Sequence, residues 1–417
     1  MLATCRYSCN NPPQARGPLG TMKILVVNDY GTPGGGAEHM SLTLRDGLRQ
    51  RGHEARLFAS TAQHPGLANA ADDVCFGSES PLRRVLQVAN PFAAWRLRAT
   101  ISEFRPDVVH VRMFLTQLSP LILPQLYGVP SVLHVVNYQA ICPVNTKLLP
   151  DGSPCGHQAG LPCYRAGCVS MPGVARTFAQ QRLWRRWHDA FDAIVANSDW
   201  TRRRLVAGGV DVTRTIWNGV PVRPLRPPLT SPPTVAYAGR LVAKKGVDVL
   251  VRAMARVAAQ LPEARLLIAG DGPERHDLER LVDSLGLAQH VTLLGHRPRA
   301  EMETLLARAW VQAAPSRWEE PFGLVAAEAL MRGTAVVATR PGGLSEQVRD
   351  NDSGMLVPAG DVEALAGALL RILADRTLAE KMGARGRIIA LAHFREDVTL
   401  DKFVRLYEEL CGRTRPS

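Results

Sequence analysis

The sequence predicts an α/β protein built from two doubly wound, Rossmann-like parallel-sheet domains that face each other across a cleft. Three observations carry that expectation. Short apolar runs alternate with segments of helical period along nearly the whole chain. A length of 417 residues exceeds what one hydrophobic core usually holds. A proline-rich stretch at 218–233, NGVPVRPLRPPLTSPP, separates two successive βα series and reads as an inter-domain linker. The expected boundaries are a first domain over 22–217, a second over 234–394, and a C-terminal helix from 395 that packs back on the first domain.

Residues 1–21 carry no structural pattern and read as a flexible tail or a misassigned start. KILVVN (23–28) is a short buried strand, followed by a turn containing Gly34, Gly35 and Gly36. Ala37, Met40, Leu44 and Leu48 then recur at helical spacing before strand ARLFA, which makes a βαβ unit. The turn is not a GxGxxG fingerprint and no acidic residue closes the second strand, which argues against a nicotinamide site. Strands follow at DVVHV, SVLHVV and AIVAN, with helices through RTFAQQRLWRRWHDAF and SDWTRRRLVAG. Residues 60–100 are weakly patterned, and 137–173 read as irregular.

The second half repeats the logic. Strands TVAYAG, RLLIAG, VTLLG, VQAAPS and AVVAT alternate with helices, and two helices close the chain. In open sheets of this kind a ligand is expected outside the carboxyl ends of the strands.

Hydrophobic content of 46% and charged content of 21% describe a globular chain. The net charge of +12, about +9 of it in residues 1–220, suggests an anionic partner. Aromatic content of 6% without basic–aromatic interleaving argues against nucleic acid. No apolar run reaches the roughly 18 residues of a membrane span, and the N-terminus lacks the apolar core of an export signal. The cysteines are therefore expected to be reduced thiols in a cytoplasm. The basic runs 182–188 and 201–205 have apolar partners at helical spacing and suit either an anionic membrane surface or a solvated face.

The stretch PSRWEEPFGLVAAEALMRG (315–333) concentrates the candidate chemistry. Pro321 is placed to open a helix, Gly323 to let the backbone approach a ligand, and Gly333 to end the helix. A helix start at Phe322, Gly323 and Leu324 offers free N–H groups to a phosphate. Glu320 and Glu328, eight residues apart, would stand about 12 Å apart at helical rise, beyond the roughly 5–9.5 Å of paired glycosidase carboxylates. They suit opposite ends of one long anionic ligand, or a plain amphipathic helix with solvated carboxylates. Arg240 and Lys245 follow strand TVAYAG and either grip a diphosphate or face water. Gly35 and Gly36, Gly270 to Pro273, and Gly342 with Gly343 read as ligand-facing turns or as bare turns. Cys142, Cys155, Cys163 and Cys168 are spaced C-x12-C-x7-C-x4-C, without the close pairs of a structural zinc site; free thiols in a packed loop fit better.

Taken in order, GGGAE (34–38), NGV (218–220), GRLVAKKG (239–246), IAGDGP (268–273), E-x7-E (320–328) and PGGLSE (341–346) resemble the retaining family 4 glycosyltransferases of the GT-B fold. The resemblance implies that Arg240 and Lys245 hold a nucleoside diphosphate, and that Glu320 contacts the transferred sugar. It implies further that Phe322, Gly323 and Leu324 offer amides, that Glu328 binds ribose, and that His296 lies by the base. Gly35 and Gly36 would close over the phosphates. Where the family carries a His before its NY and CP pairs, this chain has Val136; His134, two residues earlier on the same strand face, and Asn137 are the acceptor-side candidates. The Cys-containing insertion resembles a subset of the family.

The expected activity is metal-independent transfer of a hexose-type sugar, with retention, from a UDP- or GDP-sugar to a glycan, lipid-linked or small-molecule hydroxyl. No cofactor and no metal are expected. The expected location is cytoplasmic, peripheral at the inner membrane face. Alternatives are a nucleotide-sugar epimerase of the same fold, or a nucleotide-sugar-binding protein without activity. A pyridoxal-phosphate phosphorylase would need a Schiff-base lysine setting that the chain does not show.

Overall fold

The computed structural model describes residues 20–63, 66–297 and 299–412, without the side chains of 299 and 300. The expected tail at 1–21 lies almost wholly outside the described residues. The first sheet collects seven strands: β1 Lys23–Tyr30, β2 Glu54–Ser60, β3 Asp73–Cys75, β4 Val108–Val111, β5 Ser131–Val135, β6 Ala193–Ala196 and β7 Arg214–Thr215, in the order β3-β2-β1-β4-β5-β6-β7. The second collects six: β8 Thr234–Ala238, β9 Arg265–Ala269, β10 Val291–Gly295, β11 Val311–Ala314, β12 Ala335–Arg340 and β13 Gly354–Pro358, in the order β10-β9-β8-β11-β12-β13. Every pairing within them is parallel. Parallel strands are covered by helices on both faces, which is why β1, β4, β5 and β6 read as continuous apolar runs.

Strand order reverses between β1 and β4 in the first sheet and between β8 and β11 in the second. Such switch points open a crevice at the strands' carboxyl ends. The glycine turn follows β1, the Arg240–Lys245 loop follows β8, and the 315–323 loop follows β11, so the topology gathers these three segments on cleft-facing edges.

The chain crosses between the sheets twice. The crossings are pinned to each other, with Val220 N–H donating to Phe394 O at 2.8 Å and Glu396 N–H donating to Val220 O at 3.0 Å. After the second crossing, helix Glu396–Gly412 returns to the first sheet and buries Leu400, Phe403, Leu406, Tyr407 and Leu410 against Ile24, Val26, Leu57, Val108 and Val132.

Several local expectations need correction. Three helices, not two, follow β13: Val362–Leu373, Arg376–His393 and Glu396–Gly412. The weakly patterned 60–100 region holds β3 and much of helix Pro91–Phe104, capped by Asn90, whose side chain accepts from Ala93 N–H. Within 137–173 lies the short helix Leu161–Arg165, and the following helix runs Met171–Trp187. Strands β3 and β7 are too short, at 3 and 2 residues, to show a period.

Candidate functional site

The helix predicted to open at Pro321 begins three residues later, at Leu324, and runs to Arg332 with Gly333 as its left-handed C-cap. Glu320 therefore precedes the helix. Its backbone pairs with Gly342 in a single parallel bridge, and Gly343 N–H donates to its carbonyl at 2.7 Å. The 12 Å helical separation from Glu328 does not apply, since only Glu328 is on the helix. Gly323 provides the turn between them at φ 94°, and a Cβ there would strike Leu344.

Glu320 is buried and receives two donors on the same oxygen. Lys245 Nζ contacts Oε1 closely, and Ser316 Oγ donates to Oε1 at 2.7 Å. Burial pushes its carboxyl up, but the Lys245 charge and the hydrogen bonds from Lys245 and Ser316 outweigh this and hold it below the usual range. Lys245 reaches Glu320 because Gly246, at φ 66°, brings its backbone against Pro315 O, where any Cβ would collide. The neighbouring Lys244 lies over the Trp318 ring, 4.0 Å from its centroid. Arg240, in the same loop, is exposed, as is His296 just beyond β10.

From the first domain, the Gly36–Gln50 helix begins at the glycine turn with Gly35 as an extended N-cap. A Cβ on Gly36 would lie 3.1 Å from Leu324 Cδ1, so two helix N-termini, one from each domain, meet across the cleft. The structure thus brings together Gly35, Gly36, Gly323 and Leu324, and separately joins Lys245 to Glu320 in the same loop–helix junction. Phe322 contributes backbone there; its side chain is buried edge-on against Phe394, ring centroids 5.9 Å apart. Glu328 is half-buried on the helix, near Arg332.

The acceptor-side candidates fare differently. His134 is in the core, packed between His110 (5.5 Å) and Phe403 (4.8 Å), because residue 134 of β5 points to the face that the C-terminal helix covers. This corrects the expectation that it stands in for the family His beside the sugar. Asn137 lies just past β5, where its Oδ1 accepts from Gln139 N–H at 3.0 Å and holds the turn. Val136 is buried.

Sequence reasoning missed the clamp on the 316–321 loop. Glu319, 2% exposed, pairs with Arg204 and accepts from Trp200 Nε1 at 3.1 Å. Ser198 Oγ donates to Pro321 O at 2.5 Å and Thr201 Oγ1 does so at 3.0 Å. Glu346 accepts from Asp199 N–H at 2.9 Å and from Trp200 N–H, capping helix Asp199–Ala207 across the domain boundary. The basic run 201–205 is thus a docking face for the second domain: Arg203 faces Glu346 at 3.6 Å and Arg204 holds Glu319. These partners are more than a hundred residues apart in the chain, and no local pattern announces them.

Cys142, Cys155 and Cys163 are buried, Cys168 is half-buried, and all are unbridged. Burial, then Cys163, Cys155 and Cys142 nearby, push the Cys168 thiol up. Among the described residues no group of three or more His, Cys, Asp or Glu is arranged to hold a metal, and no helix is long and apolar enough to cross a membrane.

Two family profiles match the chain: "Glycosyltransferase Family 4" over residues 34–223 and "Glycosyl transferases group 1" over 226–388. A GDP-mannose-dependent alpha-(1-6)-phosphatidylinositol monomannoside mannosyltransferase of Mycolicibacterium smegmatis is 37% identical over 187 residues, 43% of this chain and 48% of that protein. That match spans about half of the relative's length. A phosphatidyl-myo-inositol mannosyltransferase of the same species is 29% identical over 406 residues, 94% of this chain and 95% of that one. Among solved structures, a sucrose-phosphate synthase from Thermosynechococcus elongatus superposes with a TM-score of 0.73 at 24% identity, covering 93% of this chain and 99% of that one. At that identity the likeness speaks to the fold alone.

Proposed function

The chain belongs to the family 4 glycosyltransferases, and from that premise we propose that it moves a hexose-type sugar from a nucleoside-diphosphate sugar to an acceptor hydroxyl, with retention and without a metal. The observation that carries the reading is the Lys245–Glu320–Ser316 cluster at the β8/β11 switch point, beside two facing helix N-termini. In this reading the donor's diphosphate lies against Lys245, Arg240 and the amides of Gly323 and Leu324, with Gly35 and Gly36 above it. Fixed positive charge then stands where the departing diphosphate gains negative charge, which lowers the barrier. The anomeric C–O(phosphate) bond breaks, the acceptor oxygen bonds to the same carbon on the same face, and its proton passes to a diphosphate oxygen. Glu320, ionised and already hydrogen-bonded, orients Lys245 and faces the sugar; Glu328 takes the ribose hydroxyls and His296 the base.

The donor is a UDP- or GDP-sugar in this proposal. The GDP-mannose dependence in the name of one relative supports trying GDP-mannose first. The phosphatidylinositol in the names of both relatives supports a lipid-linked acceptor over a glycan or a free small molecule. An anionic membrane surface, at the cytoplasmic face, fits a further observation: Phe92, Trp95 and Phe178 are exposed on two helices packed against the same 120–126 turn, which also carry exposed Arg98 and Arg182. Val136 at the usual His position supports a second reading, a protein that binds the nucleotide sugar without transferring it; an epimerase would convert donor alone.

Turnover of a matched donor and acceptor decides among these. Lys245→Ala and Glu320→Ala are each expected to lose ~10²–10³-fold in kcat, about 2.7–4 kcal/mol of barrier, with wild-type rates unchanged in EDTA. Near wild-type turnover by both variants contradicts the assignment, as does donor consumption without acceptor.

A further inference from the structure

Under the first turns of the Gly36–Gln50 helix, one buried cation keeps donors without hydrogen-bond partners, although Glu38 attracts it through space. Arg112 follows β4, at the strand pair where the first sheet reverses order, and so leaves the sheet on the same edge as the glycine turn. It is 5% exposed, and its Nε and Nη2 have no hydrogen-bond partner. Nη1 reaches only Met40 O, at 3.4 Å. Arg112 opens onto a cleft lined also by Met40, His134, Asn218, Glu396 and Phe403, between that helix and the start of the C-terminal one. Two more buried groups there are orphaned: both ring nitrogens of His134, and Asn218 Oδ1.

A buried guanidinium with empty donors is costly unless something ionised completes it. Burial pulls Arg112 down to about 10, so it stays charged at neutral pH. Burial first, then Arg112, hold His134 well below the usual imidazole range, which leaves a neutral ring with one donor and one acceptor. The unfilled inventory is a planar cationic fork, one N–H, and an amide oxygen that accepts a hydroxyl.

We propose that this cleft takes a hydroxylated phosphomonoester, its phosphate on Arg112 and the His134 N–H, its hydroxyl donating to Asn218 Oδ1. The site shares no residue with the Lys245 cluster and lies where the first domain meets the crossing at Asn218 and the start of the C-terminal helix. The proposal rests on the transfer reading in one respect: the phosphate is carried by the acceptor, so the acceptor class is a phosphorylated polyol or a headgroup of that chemistry. A guanidinium fork matches phosphate oxygens two at a time, which a lysine at this position would not do.

The test titrates glycerol 3-phosphate, and separately inorganic phosphate, into protein saturated with whichever nucleoside diphosphate raises its melting temperature most. Saturable binding is expected in the wild type, weakened at least tenfold in Arg112→Met. Tighter binding of glycerol 3-phosphate supports an acceptor headgroup as the source; tighter binding of inorganic phosphate overturns that part and leaves a free-ion site. Absence of saturable binding to the wild type, which needs no variant to fold, overturns the whole inference, as does equal binding by Arg112→Met. If no nucleoside diphosphate shifts melting, the donor reading fails on its own, and titration of the free protein still decides the Arg112 site.

Discussion

Lys245 and Glu320 form a pair whose value depends on where it lies. Glu320 is 5% exposed, so leaving its carboxylate unpaired is far more expensive than losing a surface ion pair. Lys245→Ala is therefore expected to lower thermal stability as well as activity, while Lys245→Arg keeps charge and restores part of both; equal melting of Lys245→Ala and wild type would show that the pair carries no weight. The pair is also pH-sensitive. Its folded-state carboxyl is held below the ordinary value, so its stabilisation is present above the unfolded value of 4.5 and is lost as pH falls through the lower, folded value. Asp29 has the opposite sign. Burial pushes it up to about 6 from 3.8, against the N–H groups of Thr116, Gln117 and Leu118 that donate to it. The folded state binds that proton more tightly, so the contribution is full below pH 3.8 and lost as pH rises through about 6. Between pH 7 and 5 the wild type is expected to gain stability relative to Asp29→Asn; parallel melting curves over that range would contradict it.

Among the elements, helix Asp199–Ala207 does the most to hold the 316–321 loop, through Ser198, Thr201, Trp200 and Arg204. Arg204→Ala leaves Glu319 buried without its cation, at an expected cost of about 3–5 kcal/mol. Because that loop carries Glu320, the variant is expected to lose donor affinity as well, and unchanged donor binding would mean the clamp is structural only. The helix Leu324–Arg332 of the candidate site was legible: PFG before an apolar face and Gly333 after it mark its ends to within three residues. The Glu320–Lys245 pairing was legible only as two cleft-facing segments. The clamp was not, because a carboxylate that caps a helix 147 residues away leaves no spacing to read. His134 misled for a related reason. Strand alternation gives the face on which a side chain stands, but what covers that face is the last helix of the chain. The helices carrying Phe92, Trp95 and Phe178 give a separate expectation: sedimentation with anionic vesicles should fall in a Phe92→Ser/Trp95→Ser variant and persist in Arg204→Ala, and equal sedimentation of the first variant would remove the membrane surface from the proposal.

At the scale of the whole molecule, both sheets put their switch points on one cleft, and two pinned crossings at 218–220 and 394–396 are all that joins them covalently. The last helix makes the first domain depend on the end of the chain. Losing residues from 396 onward would remove Leu400, Phe403, Leu406, Tyr407 and Leu410 and uncover Ile24, Val26, Leu57, Val108 and Val132, and at roughly 1.5–3 kcal/mol per buried side chain that loss rivals the 5–15 kcal/mol stability of a typical domain. In the proposed reading, donor binding between two such halves would draw them together and exclude water, which would make each fixed charge count for more. The central claim is that protein cations and amides, not a metal ion, hold the diphosphate of the donor. Calorimetric titration of GDP and UDP into the wild type and Lys245→Ala, with and without EDTA, tests it most directly. One of the two nucleotides should bind the wild type with an affinity that EDTA leaves unchanged, and bind the variant about a hundredfold more weakly. Binding that requires a divalent cation, or that Lys245→Ala retains in full, would contradict the account.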